Sequence, residues 1–299
     1  MKSDTQNSFL FYFLLVLAMV FWASSWISAK VFSEYINAYE LMVYRYFLTT
    51  ISFVPILLYL KKSFVISKDT LLLALLSTLF MILYSKFFFD GTMHGTAGLG
   101  AAFVTTLNPI ITFILSLVFF KKELRKKDIF ALLLGAVGIF TILNVWSFEF
   151  EDIFVIANLF FILAAFSWAL LTLNNSRVKT VDPLVLTFYI YLFTTLFGYF
   201  ITPFESGNIF EFDFVFWFNL ILISIGSTTF ATSFYFIAIS KIGASKASSF
   251  IFLVPFNAIF LSYLFLDEPI YYTTIIGTIL SIIAVSMLNN AKNPFKRNG

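Results

Sequence analysis

The chain alternates long apolar runs with short polar links from one end to the other. The runs fall at about 9–30, 38–60, 70–91, 97–120, 128–145, 154–175, 183–203, 214–238, 243–266 and 270–289. A helix rises about 1.5 Å per residue, so runs of ~20 residues match a hydrocarbon core about 30 Å thick. Backbone polar groups cannot stay unpaired in lipid, and the alternating signature of a barrel strand is absent, so the runs predict helices. The expected fold is an all-α membrane protein with ten transmembrane helices. The links leave no room for a water-soluble domain. The first run, from Phe9, is longer than the apolar part of a signal peptide and leads directly into another run, which predicts a retained helix.

The charges sort by side. With the links assigned alternately to two faces, all but three of the 19 Lys and Arg residues fall on the face of the amino terminus, Lys61, Lys62, Lys121, Lys122 and Arg125 among them. The other three, Lys30, Arg45 and Lys86, lie within spans or at their ends. The opposite face carries acids instead: Glu34, Glu149, Glu151, Asp152, Glu205, Glu211, Asp213, Asp267 and Glu268. Positive charge stays on the cytoplasmic side, so both termini are expected there. A wrong span count would scramble this separation.

A repeat divides the chain. Gly95–Glu123 opens on small residues, crosses an apolar run interrupted by Pro109 and closes on basic residues and an acid. Gly243–Pro269 repeats that order around Pro255. Gly98 and Glu123 are 25 positions apart, as are Gly243 and Glu268. The expected halves are 1–148 and 149–299, with five helices each. Five is odd, so the second half enters from the opposite face and the repeats are inverted, a construction that places the substrate between the two halves.

Composition narrows the class further. Apolar residues make up 60% of the chain and charged residues 12%, too little polar surface to cover a water-facing globule. The absence of cysteine excludes disulfides, a thiolate nucleophile and Cys-based metal sites. The 43 Phe residues read as lipid-facing and interhelical packing. The basic residues flank spans on one face, as topology requires, so nucleic-acid binding is not expected. No nucleotide motif is present, and neither a cofactor nor a metal is expected.

Several strings resemble the EamA-type carriers of the drug/metabolite transporter superfamily, and the resemblance covers nearly the whole chain in two copies. FWASSWISAK (Phe21–Lys30) is similar to the family's helix-one pattern, and Arg45 in YRYFLTT falls where its second helix often carries arginine. Gly98, Pro109 and Glu123 match the helix-four pattern, Ala164–Thr172 resembles the sixth helix, and Ile242–Pro269 resembles the ninth. The second half has no arginine equivalent to Arg45, and Lys121-Lys122 replaces a small residue before Glu123. The resemblance implies a ten-helix carrier with a central cavity that moves small metabolites, often amino acids or related compounds, and, with the helical spans, it implies the cytoplasmic membrane.

Charges inside spans are costly and usually face a cavity, a partner or an interface. Arg45, Lys86 and Asp90 are the candidate substrate-binding charges, with Arg45 and Lys86 offered to a carboxylate or phosphate. Asp90 and His94 are candidates for proton coupling, at i+4 spacing along one face from Lys86. A structural Lys86–Asp90 ion pair, and interfacial roles for Lys30 and His94, are the competing readings. Trp22, Trp26 and Trp168 offer aromatic walls or packing. Asn108 and Asn257 are polar candidates beside the expected kinks at Pro109 and Pro255. Gly95, Gly98, Gly100, Gly243 and their small neighbours permit close helix contact. The expected function is a secondary transporter for a small metabolite working by alternating access, with a channel or lipid scramblase as alternative and an intramembrane enzyme a remote third. A homodimer through a helix face stays open.

Overall fold

The structure is a computed structural model that describes residues 2–120, 125–147, 155–178, 181–242 and 250–289. Within the first half it forms α1 (Lys2–Phe32), α2 (Ala38–Tyr59), α3 (Lys68–His94), α4 (Ala97–Phe120) and α5 (Lys126–Ile142). The second half forms α6 (Ile156–Asn175), α7 (Pro183–Ile201), α8 (Phe214–Ile242), α9 (Leu253–Leu266) and α10 (Tyr272–Asn289). No strand occurs among the described residues.

Polar links set the helix starts. Asn37 accepts the N–H groups of Tyr39 and Glu40, and Glu40 reaches back to the N–H of Asn37, closing a capping box at α2. Ser67 caps α3, Asp182 caps α7 just ahead of Pro183, and Asp213 caps α8. Asp267, in left-handed conformation at φ 54°, ends α9 where glycine is more usual.

Among the described residues, seven helices are long and apolar enough to cross a membrane, and Leu253–Leu266 and Tyr272–Leu288 are shorter apolar helices. The expectation of ten runs of similar length is therefore met only in part. The 17 residues of α5 begin on Lys126, Lys127 and Asp128, and the 14 residues of α9 rise only about 21 Å. The beginning of the 243–266 run, with Gly243, Ala244, Ser245 and Ala247, lies outside the described residues, as do Lys121, Lys122, Glu123, Glu149, Glu151, Asp152 and the boundary near 148.

The bundle has an apolar core, but unlike a soluble protein it also turns large apolar side chains outward and buries many hydroxyls. Leu72, Leu133, Phe200 and Phe265 are each more than 60% exposed, whereas Ser77, Ser85, Thr49 and Thr194 are fully buried. Three of these hydroxyls bond within their own helices, where Thr49 donates to the Arg45 carbonyl, Ser85 to that of Met81 and Thr194 to that of Ile190, whereas Ser77 donates across to Asn175 of α6.

Packing repeats the two-copy pattern. α1 packs on α8 and α9, as α6 packs on α3 and α4; α2 packs on α8, as α7 packs on α3. The pairs α2–α7, α4–α9 and α5–α10 join counterparts directly. Exchanging each helix for the one five places along leaves these contacts unchanged. The links also meet in the order that alternation requires. Lys62 pairs with Asp182 at 2.6 Å on the lysine-rich end. On the other end Tyr35 donates to Asp213 and Asn37 to the Pro203 carbonyl.

One helix departs from the expected form. Leu222–Ala231, in the middle of α8, is π-helical. Its sequence carries Ser224, Gly226, Ser227, Thr228 and Thr229 inside an apolar span. Thr228 and Thr229 donate to the carbonyls five residues back, of Ile223 and Ser224, at 2.7 and 3.0 Å. A Cβ on Gly226 would lie 2.9 Å from the Phe21 ring, so the missing side chain lets α1 approach the widened turn. π segments often mark functional sites.

Candidate functional site

Arg45 lies two turns into α2, about 10 Å from the helix start, and is 8% exposed. Its Nε donates to Thr228 Oγ1 at 3.0 Å, which joins α2 to the π segment of α8. Thr49, one turn on, donates to the Ser224 carbonyl at 3.2 Å, and Ser52 shares a hydrogen with Thr229 at 2.6 Å. The guanidinium lies 5.4–6.0 Å from the ring centres of Tyr46, Phe88 and Phe89. Tyr191 stacks on Tyr46, and Tyr84 stacks on Phe88.

The other end of the guanidinium is unsatisfied. Nη1 is buried and has no hydrogen-bond partner. Among the described residues no carboxylate pairs with Arg45. Ser224 and Ser227, on the π segment, also bury hydroxyls without partners. A desolvated cation with a free N–H is costly unless an anion completes it. The arrangement can bind a carboxylate, sulfonate or phosphate oxygen, and the surrounding rings can hold an apolar body.

The other charges occupy different surroundings. Lys86 is paired with Asp90 at 2.5 Å and lies over Tyr39, Phe87 and Phe160, none of which borders Arg45. His94 is exposed, and its Nδ1 meets the backbone carbonyl of Asp90 at 2.8 Å, not the carboxylate. Lys30 donates to the carbonyls of Met93 and Gly95 at 3.1 and 2.8 Å, capping the end of α3 with a cation.

Trp26 is buried edge-on against Phe88, 4.4 Å between centres, and so stands behind a ring that faces Arg45. Trp168, more than a third exposed, packs 4.6 Å from Tyr84, while Trp22 packs on Tyr235 at 5.1 Å. Asn108 accepts from Thr112, and Asn257 donates to the Leu253 carbonyl, so both amides bond within their own helices. Pro109 is inside α4, whereas Pro255 falls in the first turn of α9, where its missing N–H costs nothing. Gly98 sits against Ser262 and Ile259 of α9, and Gly100 against Phe161 and Trp26.

Glu40 has no place among the sequence expectations, and Glu268 enters them only through the repeat and the acid-rich face, without a partner for either. Glu40, 1% exposed, accepts from the N–H groups of Glu205 and Ser206 at 2.6 and 3.0 Å and from the Ser206 hydroxyl. Glu268 accepts from the N–H groups of Ala97 and Gly98 at 2.7 and 2.9 Å, which places a carboxylate from the second half on the N-terminus of α4. Both join the halves at the acid-rich end, together with Tyr35–Asp213. There the Phe216 N–H and the Tyr35 hydroxyl hold the Asp213 carboxyl below the usual range. Glu40 is singled out by its spacing three after Asn37, a capping box; its reach to 205–206 has no sequence signal. Glu40→Gln can keep its amide oxygen on the N–H groups of Glu205 and Ser206 but then sets its NH₂ against the Asn37 N–H, and we expect it to cost about 1–3 kcal/mol, read as a lowered unfolding midpoint in detergent.

These features define a multi-pass helical membrane bundle with a buried, incompletely paired cation where its halves meet. The EamA-like transporter family matches residues 9–144 and again 155–290, and the chain belongs to that family. It is 25% identical over 277 residues to the uncharacterized transporter YetK of Bacillus subtilis (strain 168), covering 89% of this chain and 82% of that protein. An uncharacterized transporter of Archaeoglobus fulgidus is 26% identical over 286 residues, covering 91% of this chain and 94% of that one. A solved structure titled only as the crystal structure of a protein shares the fold, with TM-score 0.62 and 13% identity over 92% of this chain and 94% of its own.

Proposed function

We propose that the protein is a secondary transporter that carries a small anionic metabolite across the cytoplasmic membrane, with both termini in the cytoplasm. Two inverted five-helix units, 1–148 and 149–299, rock about a substrate held between them. Arg45 is the anchor for the substrate's carboxylate or related oxyanion. The observation that carries this reading is the buried guanidinium with its free Nη1, placed where α2 of one half meets the π segment of α8 in the other. The packing that recurs on exchange of the two halves, α1 on α8 and α9 as α6 on α3 and α4, supports the inverted repeat. Lys86, Asp90 and His94 lie away from the Arg45 rings and serve the outer end of α3; the Lys86–Asp90 pair is neutral as a unit.

The test is counterflow in proteoliposomes preloaded with a mixed metabolite pool, read by mass spectrometry. Wild-type protein should exchange a few anionic solutes with saturation, and Arg45→Ala should not. Equal exchange by both proteins removes Arg45 from the site. Flux that does not saturate and shows no counterflow favours a channel, and lipid movement without solute exchange favours a scramblase.

A further inference from the structure

We propose that the Arg45 site selects solutes with a single negative charge and an apolar body, and rejects both zwitterions and dianions. This rests on the reading of Arg45 as substrate anchor and goes beyond it by fixing the charge pattern of the substrate.

The inference follows from where the acids and bases of the described residues are committed. Glu40 is held by the N–H groups of Glu205 and Ser206, and Glu268 by those of Ala97 and Gly98. Asp90 is paired with Lys86 and Asp128 with Arg125. Asp182 is paired with Lys62, and Asp213 takes the Tyr35 hydroxyl. None of these carboxylates faces Arg45. What the guanidinium meets is Thr228 Oγ1 and the rings of Tyr46, Phe88 and Phe89. The site therefore presents one uncompensated positive charge and no negative one.

An amino acid would satisfy Arg45 with its carboxylate but would bring an ammonium next to the guanidinium. That ammonium would find the unpaired hydroxyls of Ser224 and Ser227 and ring faces already turned to a cation, but no carboxylate to neutralise it. A dicarboxylate fails for the opposite reason: Lys86 is the nearest other cation along α3, and Asp90 already occupies it. A monoanion leaves no charge unpaired. Its body then lies among Phe88, Tyr84 and the Trp26 ring behind them, which favours alkyl or aryl groups over polyhydroxylated ones. A group that must be buried unpaired is rejected by a far larger factor than a merely ill-fitting one.

The test uses two matched series at pH 7.5: 3-phenylpropionate, phenylalanine and phenylsuccinate on an aryl body, and butyrate, 2-aminobutyrate and succinate on an alkyl body. Binding is read as thermal stabilisation of the detergent-solubilised protein, and transport as counterflow in proteoliposomes, with protein-free liposomes subtracted. We expect the monoanion of at least one series to be preferred about 100-fold over its zwitterion and dianion, and Arg45→Gln to abolish that preference. Equal or better binding and exchange of phenylalanine or 2-aminobutyrate overturns the charge rule while leaving the carrier reading intact, and so does preference for a dianion. A monoanion preference that survives in Arg45→Gln overturns the assignment of the rule to this residue. If no member of either series binds or exchanges, the charge rule falls; exchange of another anionic solute from the mixed pool, lost in Arg45→Ala, keeps the anchor reading, and its absence removes both.

Discussion

Arg45→Gln is expected to reduce exchange of the transported anion about 100-fold at subsaturating concentration while raising the stability of the empty protein. The two effects come from one cause. Charge-assisted hydrogen bonds contribute about 1.5–3 kcal/mol each, and about 2.8 kcal/mol corresponds to 100-fold in affinity. In the empty protein the same guanidinium is buried with Nη1 unpaired, so a neutral side chain of similar length removes a cost. Glutamine can keep the bond to Thr228 Oγ1 that Arg45 makes through Nε. Thermal unfolding in detergent without substrate checks the second effect: a structural arginine would lower the midpoint when removed, a binding arginine should raise it. Arg45→Lys should transport almost as poorly as Arg45→Gln. Lysine keeps the charge, but its single ammonium cannot hold Thr228 and present a second, fixed N–H to an oxyanion.

Gly277→Ala is expected to be the most destabilising single methyl addition in the bundle, at or above about 3 kcal/mol. A Cβ at this position of α10 would lie 2.5 Å from the Gly138 carbonyl oxygen and 2.6 Å from the Ile142 nitrogen of α5. Both are backbone atoms, so no side-chain rotation can relieve the clash and the two helices must separate. Gly135→Ala, on the same helix as Gly138, is the control. There the nearest atom is Ile110 Cδ1, the end of a flexible side chain, and we expect a smaller cost. Unfolding midpoints of the three proteins in one detergent decide the order. Near-equal midpoints for Gly277→Ala and wild type would contradict the α5–α10 crossing.

Much of this architecture was legible in the apolar runs. The expected span 38–60 became Ala38–Tyr59 and 183–203 became Pro183–Ile201, because Asn37 and Asp182 are capping residues at the edge of an apolar stretch. Arg45 was visible as a charge where hydrocarbon is expected, and burial made it more unusual. Three features were not legible, each for a physical reason. Hydropathy averages over the window that holds Ser224, Gly226, Ser227, Thr228 and Thr229, so the run 214–238 reads as an ordinary helix. The cluster of small and hydroxyl residues at mid-span was the available signal. Glu40 and Glu268 bond to N–H groups more than 160 positions away, and no local pattern announces a long-range partner. Trp22, Trp26 and Trp168 share a residue type, but only their packing separates Trp26, behind Phe88, from Trp22, against Tyr235.

The chain contains no cysteine, so a single one can be introduced without background. Ser227, beside Thr228 on the π segment, is buried with its hydroxyl unpaired, which makes Ser227→Cys a small change at the centre of the account. The measurement is its modification by a membrane-impermeant methanethiosulfonate reagent, applied to each side of sealed proteoliposomes in turn. Alternating access predicts that reagent reaches the thiol from both sides, and that an anion gradient which speeds modification from one side slows it from the other. Modification rates that rise and fall together from both sides, or a thiol that neither side reaches under any gradient, would contradict a carrier built around Arg45 and the π segment.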